Sequence, residues 1–160
     1  HFIEDKQSST YPVYFDQQPG WVTLCRYGTP CVRENPGCLF IATERDAVAH
    51  LTNSQEWPGG ECIVAALSGS TQKEPLLVGK PSTIMMESLK QRFHISTSKM
   101  CMVGDRLDSD IMFGQNAGSK TLLVLSGVTN KSTLQDPSND IQPDYYTSKV
   151  PDILSLLNKS

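Results

Sequence analysis

MCMVGDRLDSDIMFGQNAGSKTLLVLSGVT (100–129) is the stretch that decides the fold. Met100–Val103 is a short apolar run closed by Gly104. Ile111, Met112 and Phe113 open a helix that Gly118 ends, and Thr121–Leu125 is a second apolar run. These runs lack the in–out alternation of a half-exposed sheet, which is the pattern of parallel strands covered on both faces. Strand, helix and strand in this order make a β-α-β unit.

The same alternation extends outward. Upstream, Leu76–Val78 is a short apolar strand, Pro81 suits the first turn of a helix, and Ile84, Met85, Leu89 and Phe93 recur at helical spacing. Downstream, Tyr145-Tyr146 marks another strand and residues 150–157 a terminal helix. From Lys73 onward the chain is therefore expected to be a parallel α/β unit. The part before it has a different texture. Pro12, Pro19, Gly20, Gly28, Pro30, Pro36, Gly37, Pro58, Gly59 and Gly60 interrupt residues 1–60 and predict irregular chain there. Within it, Cys38–Ala42 is expected as a strand entered through Asn35-Pro36-Gly37, with a second at Tyr11–Asp16. A helix is expected over Glu61–Leu67, ended by Gly69.

Composition bounds the partners. Fourteen basic against seventeen acidic residues leave a net charge of −3, which argues against a broad nucleic-acid face. No apolar run approaches the ~20 residues of a membrane span, so neither nucleic acid nor membrane is an expected partner. No signal-peptide pattern opens the chain, and His1 stands first where a complete chain would carry Met. The five cysteines include no CxxC pair and no zinc spacing. Cys62 and Cys101 sit in apolar runs and are expected to be small buried hydrophobes of an intracellular protein. His50 and His94 lack a second His or Cys at ligand spacing, and Arg33-Glu34 and Glu44-Arg45-Asp46 are most simply solvated loop charges.

Ligands of such sheets bind at the carboxyl ends of strands. After Leu76–Val78 comes Gly79-Lys80-Pro81-Ser82, where an ammonium beside a helix start is a natural anion site. After Met100–Val103 comes Gly104-Asp105-Arg106-Leu107-Asp108-Ser109-Asp110. Asp108 or Ser109 can cap the following helix. Asp105, directly after strand and glycine, matches a Mg²⁺ ligand, because Mg²⁺ takes one or two carboxylates together with phosphate and water. Lys80 matches the cation that offsets charge on a transferring phosphoryl group. Asp110 is expected to orient metal-bound water.

At VGKPS (78–82) and GDRLDSDI (104–111) the sequence resembles the haloacid dehalogenase superfamily of phosphatases. YGTPCVRENPGCLFIATERDAVAHLT (27–52), QEWPGG (55–60), VGKPSTIMMESL (78–89), residues 100–129 and PDYYTS (143–148) look like the plant phosphoglycolate phosphatases and their 4-nitrophenylphosphatase-like relatives. The resemblance implies a Rossmann-like core, a parallel sheet with helices on both faces, and an α/β cap over its active site. Residues 1–72 would be the later part of the cap and 73–160 the carboxyl-terminal half of the core. It implies that Lys80 stabilises phosphate, that Asp105 binds Mg²⁺, and that Asp110 is the second acidic residue of that motif. It also implies that Thr43–Leu51 is the cap's specificity loop, with Ala49 and His50 facing the substrate. The substrate would be a small phosphate ester such as 2-phosphoglycolate, and the compartment the cytoplasm or the chloroplast stroma.

One part of the family pattern is not in these residues. The nucleophile of the family is the first Asp of a DxDG-type motif. The only D-x-D here is Asp108-Ser109-Asp110, which belongs to the metal loop, and Asp16 continues as Gln-Gln-Pro-Gly. The expectation is therefore a part of a Mg²⁺-dependent phosphomonoesterase, inactive by itself. Without the nucleophile strand, Met100–Val103 would show a bare edge. The missing half is expected from an upstream segment or another chain, or else a rearranged sheet or a second copy of this chain covers the edge. The alternatives are a non-catalytic interaction protein derived from the same fold and a phosphate-ester or nucleotide binder using Lys80 and Asp105.

Overall fold

A computed structural model describes residues 20–52 and 55–157. The chain divides into two compact units at Leu77/Val78.

In the first unit, α1 (Gly20–Glu34) packs on α2 (Glu61–Thr71). Val32, Val64 and Leu67 are buried there. Thr29 and Ser70 share a hydroxyl hydrogen bond of 2.6 Å, and Lys73 Nζ donates to the Val32 carbonyl at 2.8 Å. β1 (Ile41–Ala42) pairs in parallel with β4 (Leu76–Leu77), and β2 (Val48–Thr52) pairs antiparallel with β3 (Gln55–Pro58).

Several expectations change here. α1 runs through Gly28 and Pro30, where irregular chain was expected. Pro30 removes one helical hydrogen bond, and packing against α2 outweighs that local penalty. α2 passes Gly69 and stops at Gln72, whose left-handed φ of 57° closes the helix with its N–H on the Ser68 carbonyl. The Cys38–Ala42 strand shrinks to Ile41–Ala42. The expected strand over Tyr11–Asp16 lies outside the described residues. Cys62 and Cys101 are exposed rather than buried: flanking apolar residues predict a strand or helix, but not which of its faces turns inward. Arg45 is exposed as expected, but it is also paired. It holds Glu61 through two hydrogen bonds of 2.7 Å, and this pairing keeps the Glu61 carboxyl below its ordinary range.

The second unit is the parallel α/β part. β5 (Cys101–Gly104), β6 (Lys120–Val124) and β7 (Tyr145–Thr147) form a parallel sheet in that order. β4, expected in this regular half, pairs with β1 instead. α3 (Ile84–Phe93) precedes β5. α4 (Met112–Asn116) connects β5 to β6, and α5 (Lys131–Leu134) and α6 (Asp152–Leu157) come after β6 and β7. Leu107, Ile111, Leu123 and Leu134 make the core, with Leu125 and Ile141 against it. α4 lies close on the sheet at Gly114, where a Cβ would come within 2.5 Å of the Thr121 methyl. Thr121 is fully buried in β6, and Asp144 satisfies its hydroxyl in both directions, at 2.9 and 2.8 Å.

Candidate active site

The site is built on the loops that leave the carboxyl ends of β5 and β6. β5 ends at Gly104, and the chain enters a tight π-helical turn, Leu107–Ile111, before α4. That turn brings the Asp110 side chain back over the strand end. A Cβ on Gly104 would stand 2.3 Å from Asp110 Cγ, so glycine is what leaves room for the carboxylate. Asp110 is 3% exposed. Its Oδ2 accepts the main-chain N–H groups of Asp105 at 3.0 Å and Arg106 at 3.1 Å, and its Oδ1 accepts Lys80 Nζ at 2.5 Å. A buried carboxylate is tolerated where donors and a countercharge surround it in this way.

Asp105 is half-buried and points to the loop after β6. Its Oδ2 accepts the Val128 N–H at 2.8 Å, and its main-chain carbonyl accepts the Thr129 N–H at 3.0 Å. Its Oδ1 has no hydrogen-bond partner among the described residues. Arg106 forms an ion pair with Asp108 at 3.1 Å. The Ser109 hydroxyl is buried without a hydrogen-bond partner.

The structure thus brings Lys80, Asp110 and Asp105 onto one strand end, with corrections of detail. Lys80 does not sit at the amino end of a helix begun by Pro81. The Lys80–Pro81 peptide is cis, α3 starts only at Ile84, and the ammonium is held by Asp110. Neither Asp108 nor Ser109 caps α4. Both oxygens of Asp110 are engaged by protein donors, so Asp110 organises the loop and the lysine. Ala49 and His50 lie on β2, in the first unit. Ala49 stands opposite Trp57 and His50 opposite Glu56 in the backbone register, and the His50 side chain lies outside the described residues. The sequence marks Gly104 only as a strand end, not as the room for Asp110, and it leaves Gly127 and Val128 unmarked. The rule that picked out Lys80 and Asp105 looks to the loop after each strand, and it reaches Ser126–Thr129 once it is applied to β6.

Among the described residues no three His, Cys, Asp or Glu side chains cluster to hold a metal ion. Asp105 fits as one Mg²⁺ ligand. It is a half-buried carboxylate in a cradle that a Cβ on Gly127 would fill, with one oxygen unengaged. One protein carboxylate with water and substrate oxygens is an ordinary Mg²⁺ environment.

The HAD-hydrolase-like family matches residues 77–153, the segment that holds all three strand-end residues. Phosphoglycolate phosphatase 2 of Arabidopsis thaliana is 62% identical over 156 residues. This chain is similar to the HAD-like hydrolases. The match takes in 98% of the chain and 52% of the Arabidopsis protein, so the chain spans about half the length of that relative. Among HAD-like structures, the 4-nitrophenylphosphatase of Thermotoga maritima superimposes with a TM-score of 0.71 at 27% identity, covering 88% of this chain and 51% of that one. The glycerol phosphate phosphatase of Mycobacterium tuberculosis, crystallised in complex with magnesium, gives a TM-score of 0.65 at 27% identity over 83% and 38%. The mixed α/β fold with parallel strands is that of HAD-like phosphatases. Among the described residues no helix is long and apolar enough to cross a membrane.

Proposed function

We propose that this chain is the substrate-selecting and phosphate-holding part of a Mg²⁺-dependent phosphomonoesterase acting on a small phosphate ester such as 2-phosphoglycolate. The observation that carries the proposal is the convergence of Lys80, Asp110 and Asp105 on one strand end. Lys80 is the phosphate-stabilising cation. Its position is fixed by Asp110, which in turn is fixed by the Asp105 and Arg106 amides. Such prior fixing is what makes a charge effective against a developing oxyanion. Asp105 holds Mg²⁺, whose chemistry when bound is to draw charge from the phosphoryl oxygens. Residues 1–72 act as the cap part that selects substrate, through the segment 43–51 whose Ala49 and His50 lie on β2, and 73–160 as the carboxyl-terminal half of the core. The identity to a phosphoglycolate phosphatase supports the substrate class.

The attacking carboxylate is supplied from outside these 160 residues, in the same polypeptide or by another, and these residues alone do not turn over. The test pairs the chain with a segment carrying a DxDG motif and measures Mg²⁺-dependent release of phosphate from 2-phosphoglycolate. Activity restored by the segment and lost with Lys80→Ala supports the proposal. Activity indifferent to Lys80→Ala sinks it.

A second proposal, a non-catalytic interaction protein, has its own support. β5 has no strand on its outer side among the described residues, and Val103 is 39% exposed there. An open edge of this kind is a template for strand addition. Failure of every nucleophile-bearing segment to restore turnover, together with stable binding of such a segment, would favour it.

A further inference from the structure

The loops after β5 and β6 meet at one carboxylate. A Cβ on Gly127 would stand 2.0 Å from Asp105 Oδ2 and 2.6 Å from its Cγ, so any larger residue displaces the carboxylate. The next amide, Val128 N–H, donates to that same Oδ2 at 2.8 Å. Thr129 N–H holds the Asp105 carbonyl at 3.0 Å. One oxygen of Asp105 is committed to the main chain, and Oδ1 has no hydrogen-bond partner among the described residues.

We propose that Gly127 and Val128 are positioning residues that present Asp105 to a divalent cation through Oδ1 alone, and that this presentation favours Mg²⁺ over Ca²⁺. The proposal rests on Asp105 being a cation ligand. Mg²⁺ is small and strictly octahedral, whereas Ca²⁺ takes more oxygens and readily binds a carboxylate through both. A hydrogen bond that occupies the second oxygen withholds the two-oxygen mode. Loss of a group that orients a metal ligand in this way typically costs about ten- to a hundredfold in affinity.

The test uses the ¹⁵N-labelled 160-residue chain, with Mn²⁺ as paramagnetic probe and Mg²⁺ or Ca²⁺ as competitor. Mn²⁺ is expected to broaden the amide signals around Asp105, and Mg²⁺ to reverse this at lower concentration than Ca²⁺. Asp105→Asn is expected to abolish that focus. Gly127→Ala is expected to weaken Mn²⁺ binding about tenfold and to narrow the gap between Mg²⁺ and Ca²⁺, while the β5 and β6 amide signals keep their positions. No focus at Asp105 in the wild type, or a focus that survives Asp105→Asn, overturns the metal assignment. A focus lost in Asp105→Asn but unchanged in affinity and cation order by Gly127→Ala overturns the positioning role alone. Should Gly127→Ala not fold, the wild type decides. Its Val128 amide must exchange with solvent more slowly than its exposed loop neighbours, and exchange as fast as theirs contradicts the proposal.

Discussion

Lys80 and Asp110, thirty residues apart in sequence, meet in a 2.5 Å ion pair whose acidic member is almost wholly buried and whose basic member is 38% exposed. Asp110 therefore serves two elements at once. It anchors the lysine that leaves β4, and it receives the two amides that begin the loop after β5. Removing it affects both.

Asp110→Ala leaves the Asp105 and Arg106 amides without an acceptor and Lys80 without its partner. The amides dominate, at about 2–3 kcal/mol together, because solvent screens much of the ion pair at a lysine this exposed. Asp110→Asn, which keeps an acceptor oxygen, is expected to cost less. Urea unfolding of the two variants checks the order, and equal losses would mean that the amides are not what Asp110 holds.

Gly104→Ala places a methyl against the same carboxylate. Overpacking at so rigid a point is expected to cost about 1–3 kcal/mol. The Lys80–Asp110 pair should loosen in the same variant, seen as faster exchange of the Asp105 and Arg106 amides. Unchanged exchange would separate the glycine from the carboxylate.

Asp144 joins the start of β6 to the approach of β7. It accepts from Lys120 Nζ at 2.5 Å and from the Thr121 amide and hydroxyl at 2.9 Å. These bonds, Lys120 first, hold the Asp144 carboxyl below its ordinary range and raise the Lys120 ammonium above its own. The unfolded chain binds the Asp144 proton more readily, so this stabilisation is complete above the ordinary carboxylate range and disappears as pH falls through the lowered folded value. The Lys120 contribution has the opposite sense: it is complete below the ordinary lysine value and is lost as pH rises through the raised one. Asp144→Asn should flatten both limbs of a stability–pH profile. An unaltered acid limb would show that other carboxyls set it.

The Cys101 thiol is pushed up, first by loss of solvent around its sulfur and then by the nearby Asp144 charge. Alkylation proceeds through the thiolate. Despite its exposure, Cys101 should therefore react with iodoacetamide at pH 8 more slowly than an unstructured cysteine peptide. Reaction at the peptide's rate would contradict the shift.

How far the residues themselves foretell this arrangement differs along the chain. The parallel order of β5 and β6 is legible in two apolar runs separated by a helix, and Asp105 and Lys80 in the rule that ligands gather at strand ends. Their roles in the turn are not. That Asp110 would be the buried member and Asp108 the one paired with Arg106 depends on a π-helical turn, whose extra residue rotates Asp110 inward. No spacing rule announces that turn. α1 was hidden for a different reason: Gly28 and Pro30 are local breakers, and only packing against α2 keeps them helical. The pairing of β4 with β1, not with its neighbours in the regular half, is long-range and leaves no local trace.

The central claim is that these residues steady phosphate and hold a cation while the attacking carboxylate comes from elsewhere. Its most direct test is phosphate release from 2-phosphoglycolate with Mg²⁺, measured for the verified 160-residue chain alone, for the chain with a DxDG-bearing segment, and for that pair with Asp105→Ala. No turnover alone, turnover when paired, and its loss with Asp105→Ala is the expected result. Turnover by the chain alone, or full Mg²⁺-dependent turnover by the Asp105→Ala pair, contradicts it.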